Sequence, residues 1–147
     1  MKAVCLSIIV TLVAGVTFLS CSRSGAIIDD GGGGDPHVFN PIDTTAPVLI
    51  IHTPAINQVF STGTAISVTG RISDDFGLYR GTLRIVNDAT GAVVVNQPYE
   101  IHGVRTYEFS LPYTTNVSVM TDFNITISFE DHGLNFATKT VKVKVEP

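Results

Sequence analysis

The stretch Phe123-Asn124-Ile125-Thr126-Ile127-Ser128-Phe129 alternates apolar and polar side chains at every step, and Glu130-Asp131 closes it. Successive side chains of a β-strand point to opposite faces, so this pattern predicts a strand with one buried and one hydrated face. The same alternation recurs in four other stretches, at residues 66–73, 82–85, 106–111 and 140–145. Since no window of a dozen residues shows sustained helical periodicity, the chain is predicted to be all-β.

Clusters of Gly, Pro, Asn and Asp separate the alternating stretches and predict the turns. Between these turns we predict seven antiparallel strands, near residues 47–53, 64–73, 78–87, 92–101, 104–111, 122–130 and 136–145. Seven short strands in about 105 residues fit a two-sheet β-sandwich with Greek-key connections. A small barrel is the alternative architecture.

The composition excludes several classes of protein. The 147 residues carry 9 basic and 13 acidic side chains, and the net charge of −4 argues against a nucleic-acid partner. Two cysteines are too few for a disulfide scaffold. The mean hydropathy of +0.32 is high, and the apolar first twenty residues account for part of it. The length leaves room for one folded domain.

Residues 1–20 have the layout of a secretory signal peptide. Lys2 supplies the positive start, and an apolar run follows from Ala3 to Leu19. A retained transmembrane anchor is the alternative, but about seventeen residues lie at the lower edge of a membrane span. After the run Arg23 stands alone, where a stop-transfer flank has a cluster of basic residues.

The end of this leader, Phe18-Leu19-Ser20-Cys21, resembles the lipobox of bacterial lipoproteins in the looser form found in Bacteroidota. The resemblance implies cleavage before Cys21 and lipid attachment to its sulfur and new amino group. Phe18-Leu19 departs from the stricter pattern, and a plain cleaved signal peptide is a further alternative. By the usual lipoprotein sorting pattern, Ser22 implies the outer membrane, with the domain in the periplasm or exposed at the cell surface.

Residues 21–42 are predicted to be a flexible tether, acylated at Cys21. They include Asp29-Asp30, a run of four glycines at residues 31–34, and Asp35-Pro36. Glycine-rich loops cradle phosphate only between a strand and a helix N-terminus, and no strand is predicted before this run. The run is therefore assigned to the linker.

Residues 43–147 resemble bacterial Ig-like domains in three stretches, and together with the leader they resemble the small Bacteroidota lipoproteins that carry one such domain. The first is Asp43-Thr44-Thr45-Ala46-Pro47 with the strand after it, the second is residues 63–75, and the third is residues 123–131 with Gly133 and Asn135. The resemblance implies an Ig-like sandwich. With Leu134 between Gly133 and Asn135, we expect the last turn to be one residue longer than usual.

The chain lacks the tryptophan and the cysteine pair that pin the core of antibody domains. We expect four phenylalanines to fill that volume: Phe60, Phe109, Phe123 and Phe129.

Four aspartates are candidate calcium ligands: Asp43, Asp74, Asp75 and Asp131. Three of them follow predicted strands, and Asp43 precedes the first strand, so all four are expected at one end of the sandwich. Grouped carboxylate oxygens suit calcium, and some adhesin-type Ig-like domains hold it in this way. The alternative is that each aspartate forms a turn with its own backbone, with no cofactor bound.

Zinc binding and catalysis find little support in the sequence. No two of His37, His52, His102 and His132 have zinc-ligand spacing, although His52 and His132 could meet at one sheet end. No nucleophile elbow, zinc-protease motif or phosphate loop is present. We therefore expect a protein that is not an enzyme.

The expected function is that of a lipid-anchored cell-envelope protein whose Ig-like domain is a binding, adhesion or scaffolding module for a protein or glycan. The alternative is an accessory component of nutrient capture that binds a glycan or a protein. Exposed aromatic rings on one sheet face would favour glycan binding, and the tyrosines are Tyr79, Tyr99, Tyr107 and Tyr113. Five cations could form a modest basic face: Arg80, Arg84, Lys139, Lys142 and Lys144.

Overall fold

The computed structural model describes residues 38–147, so the leader, Cys21, His37 and most of the predicted tether lie outside the described residues. The described part forms eight strands: β1 (Val48–Thr53), β2 (Gln58–Ser61), β3 (Ala65–Ser73), β4 (Leu78–Asn87), β5 (Val93–Glu100), β6 (Thr106–Thr114), β7 (Thr121–Asp131) and β8 (Phe136–Glu146). Within residues 38–147, no helix is long and apolar enough to cross a membrane.

The strands form two separate sheets, with the order β1-β3-β6 in one and β2-β8-β7-β4-β5 in the other. The predicted all-β, Ig-like β-sandwich is confirmed, and the barrel alternative is wrong. Two details of the prediction are also wrong, because the strand count is eight rather than seven and β2 pairs with β8 in parallel.

The missed strand, β2, is four residues long and lies between two turn signals. Its sequence was too short to show alternation, and its pairing depends on a partner more than eighty positions away, with Phe60 opposite Val145. The chain leaves β1 at the cis Thr53–Pro54 peptide and passes from one sheet to the other before β2 begins.

Strand β6 extends beyond its predicted end, to Thr114. Pro112 was expected to start a turn, but it lies within the strand opposite Ser67 of β3. Because β6 is an edge strand, it has positions where the backbone N–H would not donate a hydrogen bond to a neighbouring strand. Proline is tolerated at such positions.

The alternating apolar side chains face inward and form one core between the sheets. Three of the four expected phenylalanines are buried there, namely Phe109, Phe123 and Phe129, and Phe60 packs against the core half-buried. The rings of Phe109 and Phe129 come from opposite sheets and meet with centroids 5.6 Å apart. These rings occupy the volume between the sheets, as predicted.

Strand direction gathers four segments at one end of the sandwich, which we call the N-terminal loop end: residues 38–47, 74–77, 101–105 and 132–135. Three further connections lie at the opposite end, at residues 62–64, 88–92 and 115–120. All four aspartates singled out from the sequence lie at or beside the N-terminal loop end.

Candidate cation site

Three carboxylates converge at the N-terminal loop end. Asp43 precedes β1, and Asp74 and Asp75 follow β3. One oxygen from each residue lies within 4.8 Å of the others. Three of the four sequence candidates are thus brought together by two segments that are about thirty positions apart in the chain.

Asp43 is the buried member of the cluster, with 3 % of its surface exposed. Its Oδ1 accepts a hydrogen bond from the Thr45 backbone N–H at 3.1 Å. Its Oδ2 is buried and has no hydrogen-bond partner among the described residues. A buried carboxylate oxygen without a donor is costly, because its lost hydration is not replaced.

Burial raises the pKa of the Asp43 carboxyl above its ordinary value of 3.8. The negative charges of Asp131, Asp74 and Asp75 raise the pKa of Asp43 further, and the hydrogen bond from Thr45 opposes them. The protein therefore holds this carboxylate in a place where a positive charge would stabilise it.

Two residues of the turn at 131–135 hold Asp43 in place. Gly133 lies so close that a Cβ there would be 2.5 Å from the Asp43 carbonyl oxygen. Asn135 donates through Nδ2 to the same carbonyl oxygen at 3.2 Å and to that of Thr45 at 3.3 Å. The Asp-x-Gly-x-Asn pattern of residues 131–135 predicts a turn, but the contacts of Gly133 and Asn135 with Asp43 arise only in the folded chain.

The side chain of Asp74 is divided between a turn and the cluster. Its Oδ2 accepts hydrogen bonds from the backbone N–H groups of Phe76 at 2.9 Å and Gly77 at 2.7 Å. Its Oδ1 is buried without a hydrogen-bond partner among the described residues. Asp75 is exposed. The sequence suggested turn formation and cation binding as alternatives for Asp74. The two are compatible, because Oδ2 stabilises the turn and Oδ1 remains available to a cation.

Asp131, the fourth candidate, lies beside the cluster but is committed to its own turn. Its Oδ1 accepts from the backbone N–H groups of Gly133 at 2.7 Å and Asn135 at 2.9 Å. Its Oδ2 accepts from the Asn135 side chain at 3.0 Å. The structure therefore leaves Asp131 outside the group of three that lies within ligand distance, and its charge acts on Asp43 from nearby.

The cluster is suited to a hard cation rather than to hydrolysis. Glycoside hydrolysis requires two carboxyl groups that flank the scissile bond, and Asp43 is too deeply buried to reach a sugar. Calcium takes six to eight oxygen ligands, and the exposed Asp75 leaves room for water or a ligand oxygen. A cavity of about 390 Å3, lined in part by Asp74, Asp75 and Arg105, opens beside the cluster.

The histidines of the described residues lie on different parts of the sandwich. His52 lies on β1, with Nε2 3.8 Å from the Glu108 carboxylate. His132 lies in the β7–β8 turn, and its ring centroid is 5.0 Å from that of His102. The sequence allowed His52 and His132 to meet, but the structure places His52 near the end of β1 and packs the ring of His132 beside those of Tyr79 and His102.

The tyrosines do not form an exposed row. Tyr79 is buried, and the other three are half-buried and pack against the core. The ring of Tyr99, for example, lies 5.8 Å from that of Phe129. The aromatic feature that would have favoured glycan binding is therefore not found among these residues.

The five cations do not form one basic face either. Lys139 pairs opposite Ile127 and so has the opposite orientation to Lys142 and Lys144. Arg80 binds Glu130 at 2.7 Å, and Lys142 binds Asp88 at 2.7 Å. Neighbouring carboxylates thus offset much of the positive charge.

No family model matches this sequence, and none of the curated proteins matches it. Among solved structures, the chain is similar to Spo0M, a sporulation control protein from Bacillus subtilis, with a TM-score of 0.45 and 11 % identity. That match covers 69 % of this chain and 49 % of Spo0M, so the chain spans about half of that protein. It is also similar to the CARDB domain of the PF1109 protein from Pyrococcus furiosus, solved in complex with di-metal ions. There the TM-score is 0.40, the identity is 15 %, and the match covers 69 % of this chain and 96 % of that domain. Neither likeness is evidence of the function of this chain, because one fold hosts many functions.

Proposed function

We propose that this chain is a non-enzymatic, lipid-anchored protein of the cell envelope whose Ig-like domain is a binding module with a calcium site at its N-terminal loop end. The site consists of Asp43, Asp74 and Asp75. The observation that carries the calcium site is the buried Asp43 Oδ2, which has no donor among the described residues and lies in a group of three carboxylates.

Calcium supplies what this end of the domain lacks. It is a positive charge with several open coordination positions, and it prefers carboxylate oxygens at short range. Two buried oxygens lack hydrogen-bond partners, namely Asp43 Oδ2 and Asp74 Oδ1. Each of them would gain a cation to coordinate. Binding would tie the segment before β1 to the loop after β3, and so would stabilise the folded chain.

Thermal unfolding of the purified full chain tests the calcium site. We expect 5 mM calcium to raise the melting temperature above that in EDTA, because only the folded chain assembles the three ligands. Asp43→Asn should remove this increase, and Glu146→Gln, an exposed carboxylate at the end of β8, should retain it. An unchanged melting temperature of the unsubstituted chain in calcium would rule the site out.

The lipid anchor is supported by Phe18-Leu19-Ser20-Cys21 at the end of the apolar leader. Several acyl chains on one cysteine would hold the protein on a membrane far more firmly than one chain. Metabolic labelling with palmitate tests this part separately. Label should enter the unsubstituted protein and be lost in Cys21→Ala, and Cys5→Ala should not alter it, because Cys5 leaves with the leader. Equal labelling of Cys21→Ala would refute the anchor.

A further inference from the structure

We infer that the N-terminal loop end docks on the lipid surface to which Cys21 anchors the chain. This inference rests on the proposed lipid anchor. The loop end would then do more than hold calcium, because its apolar side chains would enter the interfacial region of the bilayer and orient the sandwich on the membrane.

Large apolar side chains are concentrated and exposed at this end. Six of them lie on its four segments, and each is between 41 % and 76 % exposed: Val38, Phe39, Ile42, Phe76, Val104 and Leu134. On the three connections of the opposite end, the exposed large apolar side chains are Val119 and Met120. Exposed large apolar side chains grouped at one end of a domain mark a candidate interaction site.

Backbone hydrogen bonds join the four segments into one surface. The N–H of Asn40 donates to the His132 carbonyl at 2.9 Å, and the N–H of His132 donates to the Gly77 carbonyl at 3.2 Å. The N–H of Asp74 donates to the Arg105 carbonyl at 2.9 Å. The apolar side chains are therefore carried on a connected platform rather than on independent loops.

Leu134 gives an independent indication that exposure at this end has a use. Its φ of 63° lies in the left-handed region, which favours glycine or asparagine. The turn has both residue types as direct neighbours, yet a leucine occupies the left-handed position with its side chain exposed. Turn formation alone does not explain an exposed leucine with this backbone conformation.

The position of the chain favours a lipid surface as the occupant. Residue 38 belongs to this end, and Cys21 lies seventeen positions before it. A chain of that length spans at most about 60 Å when fully extended, so an anchor at Cys21 keeps this end within that distance of the membrane. Calcium at Asp43, Asp74 and Asp75 would offset negative charge that otherwise opposes approach to anionic headgroups.

Fluorescence quenching by brominated lipids tests the docking. The lipid-modified full chain is reconstituted in vesicles of phosphatidylethanolamine and phosphatidylglycerol with brominated acyl chains, in buffer with calcium. Because the chain has no tryptophan, Phe76→Trp and Leu134→Trp each place a single reporter at the N-terminal loop end. Met120→Trp is the matched control, since Met120 is exposed at the opposite end.

We expect the indoles of Phe76→Trp and Leu134→Trp to be quenched about threefold more strongly than that of Met120→Trp. The factor is no larger because interfacial side chains reach only the boundary of the acyl chains. Equal quenching of the three variants, or no quenching, would overturn the docking. Flotation of the same vesicles separates the two proposals. If the protein floats without selective quenching, the proposed anchor is supported and the proposed docking is refuted. If the protein does not float, both proposals are refuted.

Discussion

The ring of Phe129 on β7 lies directly over Gly81, its cross-strand neighbour on β4. A Cβ at Gly81 would overlap three ring carbons of Phe129. The same relationship recurs in the other sheet, where Gly70 of β3 faces the ring of Phe109 on β6. In each sheet, a glycine therefore leaves the space that the phenylalanine ring of the neighbouring strand occupies.

The glycine positions predict a large effect of a single methyl group. Gly81→Ala should lower the free energy of unfolding by about 1–3 kcal/mol, since the Phe129 ring has to move within a packed core. Urea denaturation measures the change. Thr82→Ala, on the opposite face of the same strand, should change stability by less than about 0.5 kcal/mol. Equal effects of the two substitutions would show that the ring has room to move.

Asp131 should be more important for stability than the exposed carboxylate of Asp75. Its side chain is fully buried and accepts hydrogen bonds from Gly133 and Asn135. Asp131→Ala would leave those donors unpaired, at a cost of about 2–3 kcal/mol in the free energy of unfolding. Asp75→Ala in EDTA should cost under about 0.5 kcal/mol. Chemical denaturation of both variants in EDTA decides between this ranking and the reverse.

The buried carboxyl of Asp43 predicts a pH dependence of stability without metal. Its pKa in the folded chain is above 3.8, so the folded chain holds this proton more tightly than the unfolded chain. The stability from this group is fully present below pH 3.8 and is lost as the pH rises through the folded pKa.

Asp43→Asn keeps the oxygen that accepts from Thr45 and removes the charge. In EDTA, the free energy of unfolding of Asp43→Asn should therefore rise relative to that of the unsubstituted chain as the pH increases from 3.8 to 7. Denaturation curves across this range measure the difference. A difference that falls with increasing pH would contradict the assignment.

Asp88 should titrate in the opposite direction. Hydrogen bonds from Lys142 Nζ at 2.7 Å and from the Asn124 side chain lower its pKa below 3.8. Lys142→Ala should raise this pKa towards its ordinary value, and Lys139→Ala should not change it. Titration of the carboxyl carbon by NMR gives the value directly. An Asp88 pKa that is the same in both variants would show that Lys142 does not bind it in solution.

Lys139 is predicted to protect an open strand edge. It pairs opposite the inward-facing Ile127 but is exposed, at a level where β2 does not cover β8. A charge at such a position opposes pairing with another chain. Lys139→Val should increase self-association in analytical ultracentrifugation, and Lys139→Arg should not. If the Lys139→Val chain remained monomeric at the highest concentration measured, this role of Lys139 would be contradicted.

Much of the strand pattern could be predicted because alternation is a local property. The bounds of β4 agree with the prediction at 78–87, and the other six predicted strands were found with small shifts at their ends. β2 was missed because Val59 and Phe60 are too few to show a period, and its partner lies at the other end of the domain.

The candidate site was predicted in part. The sequence suggested that Asp43, Asp74, Asp75 and Asp131 share one end, because each lies at a strand boundary. It could not show that Asp131 turns back on its own loop, nor that Asp43 is buried against Gly133. The sequence also could not predict the ring contact between His132 and His102, because contact between two loops depends on the order of the strands in the sheets.

The sequence by itself determined that this chain is all-β, since the spacing of apolar side chains sets which residues can be buried together on one face. It also placed the apolar leader before Cys21, with the consequences proposed above. The tertiary structure alone decided which three carboxylates meet and which of their oxygens are buried without a donor. Those properties arise from long-range register and from the exclusion of water, and neither of these is encoded in any short stretch of the chain.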